Sequence, residues 1–76
     1  IEWQDEGIVL SARPLGERDA VLSLLTFAHG RHAGLVRGGA GKRQGALLQA
    51  GNRLQVGWSA RLEQQLGAFQ VEPLRL

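Results

Sequence analysis

Residues 53–62 alternate without a break. Leu54, Val56, Trp58, Ala60 and Leu62 fall on one parity, and Arg53, Gln55, Gly57, Ser59 and Arg61 on the other. Successive side chains of a strand point to opposite faces, so this pattern predicts a strand with one dry face and one wet face. A dry face has to be covered by other elements, and the remaining segments are read with that demand in view.

Most of them read as strands too. Gly7 to Ala12 is apolar and partly β-branched with no helical period, and predicts a strand over about 5–13, with residues 1–6 leading into it as an arm. Pro14 cannot donate to a ladder and marks that strand's end or an edge. Residues 15–19 form a turn. Ala20 to Ala28 is apolar on both parities: Val21, Leu25 and Phe27 on one, Leu22 and Leu24 on the other. Periodicity alone leaves a buried strand and a short helix open there. The neighbours decide for a strand, because His29-Gly30-Arg31 suits a hairpin turn with a positive φ at Gly30, and a strand-like segment follows. The expected hairpin joins 20–28 to 31–38. On this reading Leu22 and Leu24 lie outside the barrel as an apolar strip, while Phe27 is core. Leu66 to Glu72 predicts the last strand, with Phe69 and Val71 inward and Pro73 as its stop. Glu63-Gln64-Gln65 is the turn before it, and Leu74-Arg75-Leu76 the exit.

The one helix-friendly stretch is residues 44–50, too short to stand alone in water and docked by Leu47 and Leu48. Gly51-Asn52 ends it. Three strands, a helical turn and two strands predict an all-β fold: a five-stranded OB-fold barrel with the short helical turn between strands 3 and 4. An SH3-like barrel is the nearest competitor and lacks a helix at that point. With 76 residues there is room for one small domain, and 43% apolar residues support a packed core. There is no Cys, hence no disulfide or thiolate site. No apolar run is long enough to span a membrane as a helix, and no signal peptide is recognisable. The chain opens on Ile1 rather than Met, which suggests a piece of something longer.

Charge is segregated along the chain. The net value is only +2, yet from Ala20 to Leu62 there is no Asp or Glu. That segment holds Arg31, Arg37, Lys42, Arg43, Arg53 and Arg61, and predicts a basic surface opposite an acidic one. Its centre is Val36-Arg37-Gly38-Gly39-Ala40-Gly41-Lys42-Arg43. Gly38, Gly39 and Gly41 leave the backbone free to bend and to approach another molecule, and three cations flank the bend. A polyanion suits such a loop, nucleic acid first. Arg37, Lys42 and Arg43 are the expected phosphate contacts, with Arg53, Arg61 and Arg31 extending the track.

Other chemistries fit poorly. A phosphate-binding G-x-x-x-x-G-K-[ST] loop would need Gly where Val36 stands and Ser or Thr where Arg43 stands. His29 and His32 bracket a turn, with no Cys and no nearby carboxylate to complete a tetrahedral set, so no metal or other cofactor is expected. The acidic pairs Asp5/Glu6 and Glu17/Asp19 have no partner base or nucleophile beside them, so no catalytic residue, no enzyme activity and no small-molecule substrate are expected. Trp58 and Phe69 fall on the inward parity, and only Trp3 is open to either stacking or packing. Without an exposed aromatic platform, nucleic-acid binding would lean on phosphates and fall steeply with salt.

In order along the chain, Asp5-Glu6-Gly7-Ile8-Val9-Leu10-Ser11, Arg13-Pro14, Gly16-Glu17, Leu25-Thr26, His29-Gly30-Arg31, Val36-Arg37-Gly38-Gly39, Lys42-Arg43 and Leu48-Gln49-Ala50-Gly51 resemble the amino-terminal domain of the RecO family. The resemblance implies an OB-fold that contributes to binding single- and double-stranded DNA, within a longer recombination mediator of DNA repair. With RecR, that mediator helps RecA load onto DNA coated by single-strand-binding protein, and it anneals complementary strands. It also implies a bacterial cytoplasmic location, nucleoid-associated during repair. Residues 1–76 correspond to the first domain alone. The family's second, helical domain, zinc-bearing in some members, lies outside them. A basic barrel that docks an acidic protein partner is the competing expectation.

Overall fold

The computed structural model describes residues 1–62 and 65–74. In chain order the elements are β1 (Glu2–Leu15), β2 (Asp19–Thr26), β3 (Gly30–Val36), α1 (Lys42–Leu47), β4 (Arg53–Ser59) and β5 (Ala68–Pro73). They close a five-stranded barrel in the order β1-β2-β3-β5-β4, with β4 returning to β1. All neighbouring pairs are antiparallel except β3 with β5. This is the expected OB-fold barrel, with the helix between the third and fourth strands.

Closure depends on the length of β1. Its first half pairs with β4, from Glu2 opposite Ser59 to Ile8 opposite Arg53. Its second half pairs with β2, from Gly7 opposite Thr26 to Leu15 opposite Asp19. The change of partner falls at Gly7, where a Cβ would lie 3.2 Å from the Leu25 carbonyl oxygen. A β-bulge between Val9 and Ser11 follows, and bends the strand round the corner. There the Val9 amide donates to the Asn52 carbonyl (2.9 Å) and its carbonyl accepts from Gly51 (2.8 Å). The supposed arm is thus the first half of β1. Trp3 and Asp5 share their parity with the buried Gly7 and Val9, so they turn inward.

The core comprises Val9, Ala20, Leu22, Leu24, Val36, Leu48, Leu54, Val56, Trp58 and Phe69. Leu48, just after α1, contributes to that core, and Leu47 packs against it. The Asn52 side chain donates to the carbonyls of Ala46 and Leu47 (3.2 Å each) and ties off the helix. Trp58 is the largest of the fully buried side chains among the described residues. Its indole N–H donates to the Leu66 carbonyl (3.2 Å), and glycines 34 and 67 leave room for its ring.

Three expectations are corrected. Leu22 and Leu24 are fully buried, so they form no external strip; Val21, Ser23 and Leu25 face outward instead. A strand apolar on both parities can be inserted either way, and cross-strand register selects the face. Phe27 is not core: it lies just beyond β2 in the turn and is 93% exposed. Strand four ends at Ser59, short of the expected Leu62: the Ala60 backbone still pairs with Ile1 (2.9 and 2.6 Å), but Leu62 lies beyond that last pair and is exposed. The helix begins two residues earlier than expected. Most of the turn expected at 63–65, and the exit beyond Leu74, lie outside the described residues.

The glycines give an ordered test. Gly67 has φ +71°, and a Cβ there would meet the Trp58 ring at 2.6 Å. Gly16 has φ +69° with open space around it. Gly67→Ala is expected to cost about 2–4 kcal/mol, from left-handed strain plus overpacking, and Gly16→Ala only about 1 kcal/mol. Urea midpoints of the two variants check the order.

Candidate nucleic-acid interface

The connection from β3 to α1 is a chain of hydrogen-bonded turns. Gly38 takes φ +72°. Its amide donates to the Asp19 carboxylate (Oδ1, 3.0 Å) at the start of β2. Gly39 donates to Val36 (3.1 Å), Ala40 to the Arg18 carbonyl (3.0 Å) and Gly41 to Gly38 (3.0 Å). Gly39 is buried against Ala20, whose Cβ would stand 2.8 Å from a Cβ at position 39. Gly41 is the N-cap of α1. Each glycine therefore has a definite geometric task, and the segment is fastened to the β1–β2 turn.

Around that fastening stand five exposed cations: Arg13, Arg18, Arg37, Lys42 and Arg43. Arg37 directly follows β3. Lys42 and Arg43 are the first two residues of α1 rather than part of the loop, and Arg43 borders a hollow with Leu47, Val71 and Pro73. Arg18 belongs to the turn that bonds Ala40. Arg13 comes in through register: it is opposite Val21, which is opposite Leu35 near the end of β3. Among the described residues none of the five is within ion-pair distance of a carboxylate. Unneutralised cations at one end of a barrel attract polyanions.

The other expected contacts stand apart. Arg31 opens β3, at the opposite end of that strand from Arg37. Arg53 opens β4 and is opposite Ile8 at mid-barrel. Arg61 is not on β4 at all; it follows Ala60 at the end where β1 begins, so the two arginines do not form a track along one strand. Sequence reasoning missed Arg13 and Arg18 because they sit in the acid-bearing segment. The charge blocks hid them; strand register for Arg13, and the bond from Ala40 for Arg18, bring them to the end of the barrel that carries Arg37.

The opposite end is held by Asp5. Its Oδ2 accepts from the Ala28 amide (2.8 Å) and meets His29 Nδ1 at 2.8 Å, while its Oδ1 accepts from Glu6 (2.7 Å). The Asp5 side chain is 7% exposed. Burial pushes its pKa up, but the hydrogen bonds from His29, Ala28 and Glu6 outweigh this and hold it below the usual carboxylate value. His29 stacks on Trp3 (ring centroids 3.8 Å apart, 6° between planes), and Trp3 in turn lies 5.5 Å from Trp58. Trp3 is thus a packing residue with one face covered. His32 contacts Trp3 and Trp58 edge-on. Among the described residues no three His, Cys, Asp or Glu side chains gather into a possible metal set.

Over its whole length, residues 1–76, the sequence matches the family described as Recombination protein O N terminal. The chain belongs to the RecO amino-terminal domain family. It is 58% identical over 76 residues to the DNA repair protein RecO of Chelativorans sp. (strain BNC1), covering all of this chain and 31% of that protein. It is also 58% identical over 76 residues to DNA repair protein RecO of Bradyrhizobium diazoefficiens, covering all of this chain and 30% of that one. With the protein of the same name from Rhodospirillum rubrum it shares 58% over 74 residues, 97% of this chain and 29% of that protein. The chain thus spans less than a third of these RecO relatives.

Asp5 makes stability depend on pH. A carboxyl whose folded pKa is depressed stabilises the fold above its unfolded pKa of about 3.9, and that contribution disappears as pH falls through the folded value. Asp5→Ala is expected to cost about 1–2 kcal/mol at neutral pH through lost charge-assisted bonds. The gap from wild type should hold down to about pH 5 and close below about pH 4. Urea denaturation of both proteins between pH 3 and pH 7 measures it.

Proposed function

We propose that this RecO-family barrel is the DNA-binding module of a recombination mediator in DNA repair. The observation that carries the reading is the set of five exposed cations, Arg13, Arg18, Arg37, Lys42 and Arg43, gathered by the turns at one end with no paired carboxylate among the described residues. Their task is to hold phosphates, of single strands and of duplexes, without reading sequence. Within a longer protein such a module serves strand annealing and the loading of RecA, together with RecR, onto DNA coated by single-strand-binding protein, in the bacterial cytoplasm. It binds and positions and carries out no bond chemistry of its own.

A second reading has an observation behind it. Ile8, Leu10, Leu15 and Leu25 are each 40–49% exposed, so apolar surface adjoins the cations and a protein partner with an acidic rim would also fit.

Fluorescence anisotropy of a labelled single strand at several salt concentrations separates the two. Binding at low salt should weaken as salt rises. The triple variant Arg37→Ala, Lys42→Ala, Arg43→Ala should lose affinity and flatten the log–log salt slope by about 2, at about 0.7 per phosphate contact. A folded wild-type domain that binds no strand at low salt assigns the cations to a protein partner.

A further inference from the structure

The outer face of β1, β2 and β3 carries further polar groups beyond Arg13, which it shares with the loop-end cluster. Register sets them in rows. Arg13, Val21 and Leu35 form one; Ser11, Ser23 and Ala33 the next; Ile8, Leu25 and Arg31 the third. Ser11, Arg13, Ser23 and Arg31 line one shallow hollow floored by Ala33, and no carboxylate lines it. Arg13 and Arg31 are two strands and four residues apart, roughly 10 Å across the sheet and roughly 13 Å along it. The hollow therefore continues the cationic end formed by Arg37 and Arg13 toward the β2–β3 turn.

That turn presents an aromatic ring. Phe27 is 93% exposed, the most exposed of the large apolar residues described. Its backbone is nevertheless held in place. The Phe27 amide donates to the Glu6 carbonyl (2.9 Å). Just before it, the Thr26 hydroxyl donates to Gly30 (2.7 Å) and accepts from His29 (2.9 Å). Just after it, Ala28 is bonded to Asp5. Packing gains nothing from a ring left in water on an anchored backbone, whereas a base with an open π-face gains a stacking partner. Glu6 and Arg53 both line the hollow beside Phe27, so its rim carries one charge of each sign.

We propose that a single nucleic-acid strand crosses the outer face of β1–β3, its phosphates on Arg13 and Arg31 with hydrogen bonds from Ser11 and Ser23, and one base stacked on Phe27. This rests on the DNA-binding reading and adds to it a path, a stacking platform and a preference for unpaired bases. A duplex offers no open base face at Phe27, so only the phosphate contacts remain for it.

The test uses two labelled 15-nucleotide probes, an oligothymidine and an abasic strand of the same length. Phe27→Ala should weaken the oligothymidine about 5- to 100-fold without changing its salt slope, and leave the abasic strand unaffected. Phe27→Trp should restore binding. The double variant Arg13→Ala, Arg31→Ala should weaken both probes and flatten the slope by about 1.4. An unchanged urea midpoint for Phe27→Ala shows that the fold is intact. If Phe27→Ala leaves the ratio of the two affinities unchanged, or the double variant binds like wild type while the Arg37, Lys42 and Arg43 triple variant does not, the path across this face is wrong. The DNA-binding reading then survives on the loop-end cations alone. If wild type binds neither probe, that reading falls and the path falls with it.

Discussion

One strand bonded to two neighbours holds this barrel shut. β1 gives its first seven paired positions to β4 and its later ones to β2, and the exchange happens at Gly7. A Cβ at that corner would lie 3.2 Å from the Leu25 carbonyl oxygen, a tight contact that glycine avoids. The seam opposite β1 is thin, since β3 and β5 meet at one bridge, Leu35 opposite Ala68, and the interior is filled by ten buried side chains among the described residues. For a chain this short such closure matters, because little other surface is available to bury.

Closure also brings together the elements that carry charge. The hairpin of β1 and β2 ends beside the link between β3 and α1, and Asp19 fastens the two through the Gly38 amide. An acid in the middle of a basic cluster looks wasteful, but its Oδ1 is engaged with the backbone. It orders the loop that displays Arg37. At the far end Asp5 does the same for the β2–β3 turn, fixing Ala28 and His29. Two carboxylates thus act as fasteners for the turns that frame the outer face, with cations distributed between them. Both turns are ordered by contacts within the barrel itself, so a ligand meeting that face would have little loop ordering to induce.

Much was legible along the chain. The alternation from Arg53 onward, the glycine at the β2–β3 turn and the short helical stretch are local features, and local stereochemistry makes the same choice in a peptide as in the fold. Strand count, the order of elements and the place of the helix followed from these. So did the inward placing of Trp58 and Phe69, since a single polar parity beside them left one choice. The cations of the Arg37 loop were legible too, as a cluster adjacent in sequence. Family resemblance in the ordered short motifs pointed the same way as the periodicity.

Tertiary structure decided the rest, for one reason: facing and proximity across strands are non-local. β2 has leucines on both parities, and only pairing of Leu22 with Ala12 and Gly34 sets it inside and turns Leu25 out. The same pairing ends the strand at Thr26, whose hydroxyl closes the turn, and leaves Phe27 in water. Register carried Arg13, and the β1–β2 turn carried Arg18, from an acidic stretch to the end that bears Arg37, while Arg61 was left at the other end of β1. Sequence by itself determined which segments become strands, because period and turn chemistry are written residue by residue. Which face of a two-sided strand meets water, and which charges share a surface, was settled only when the hydrogen-bond ladders closed.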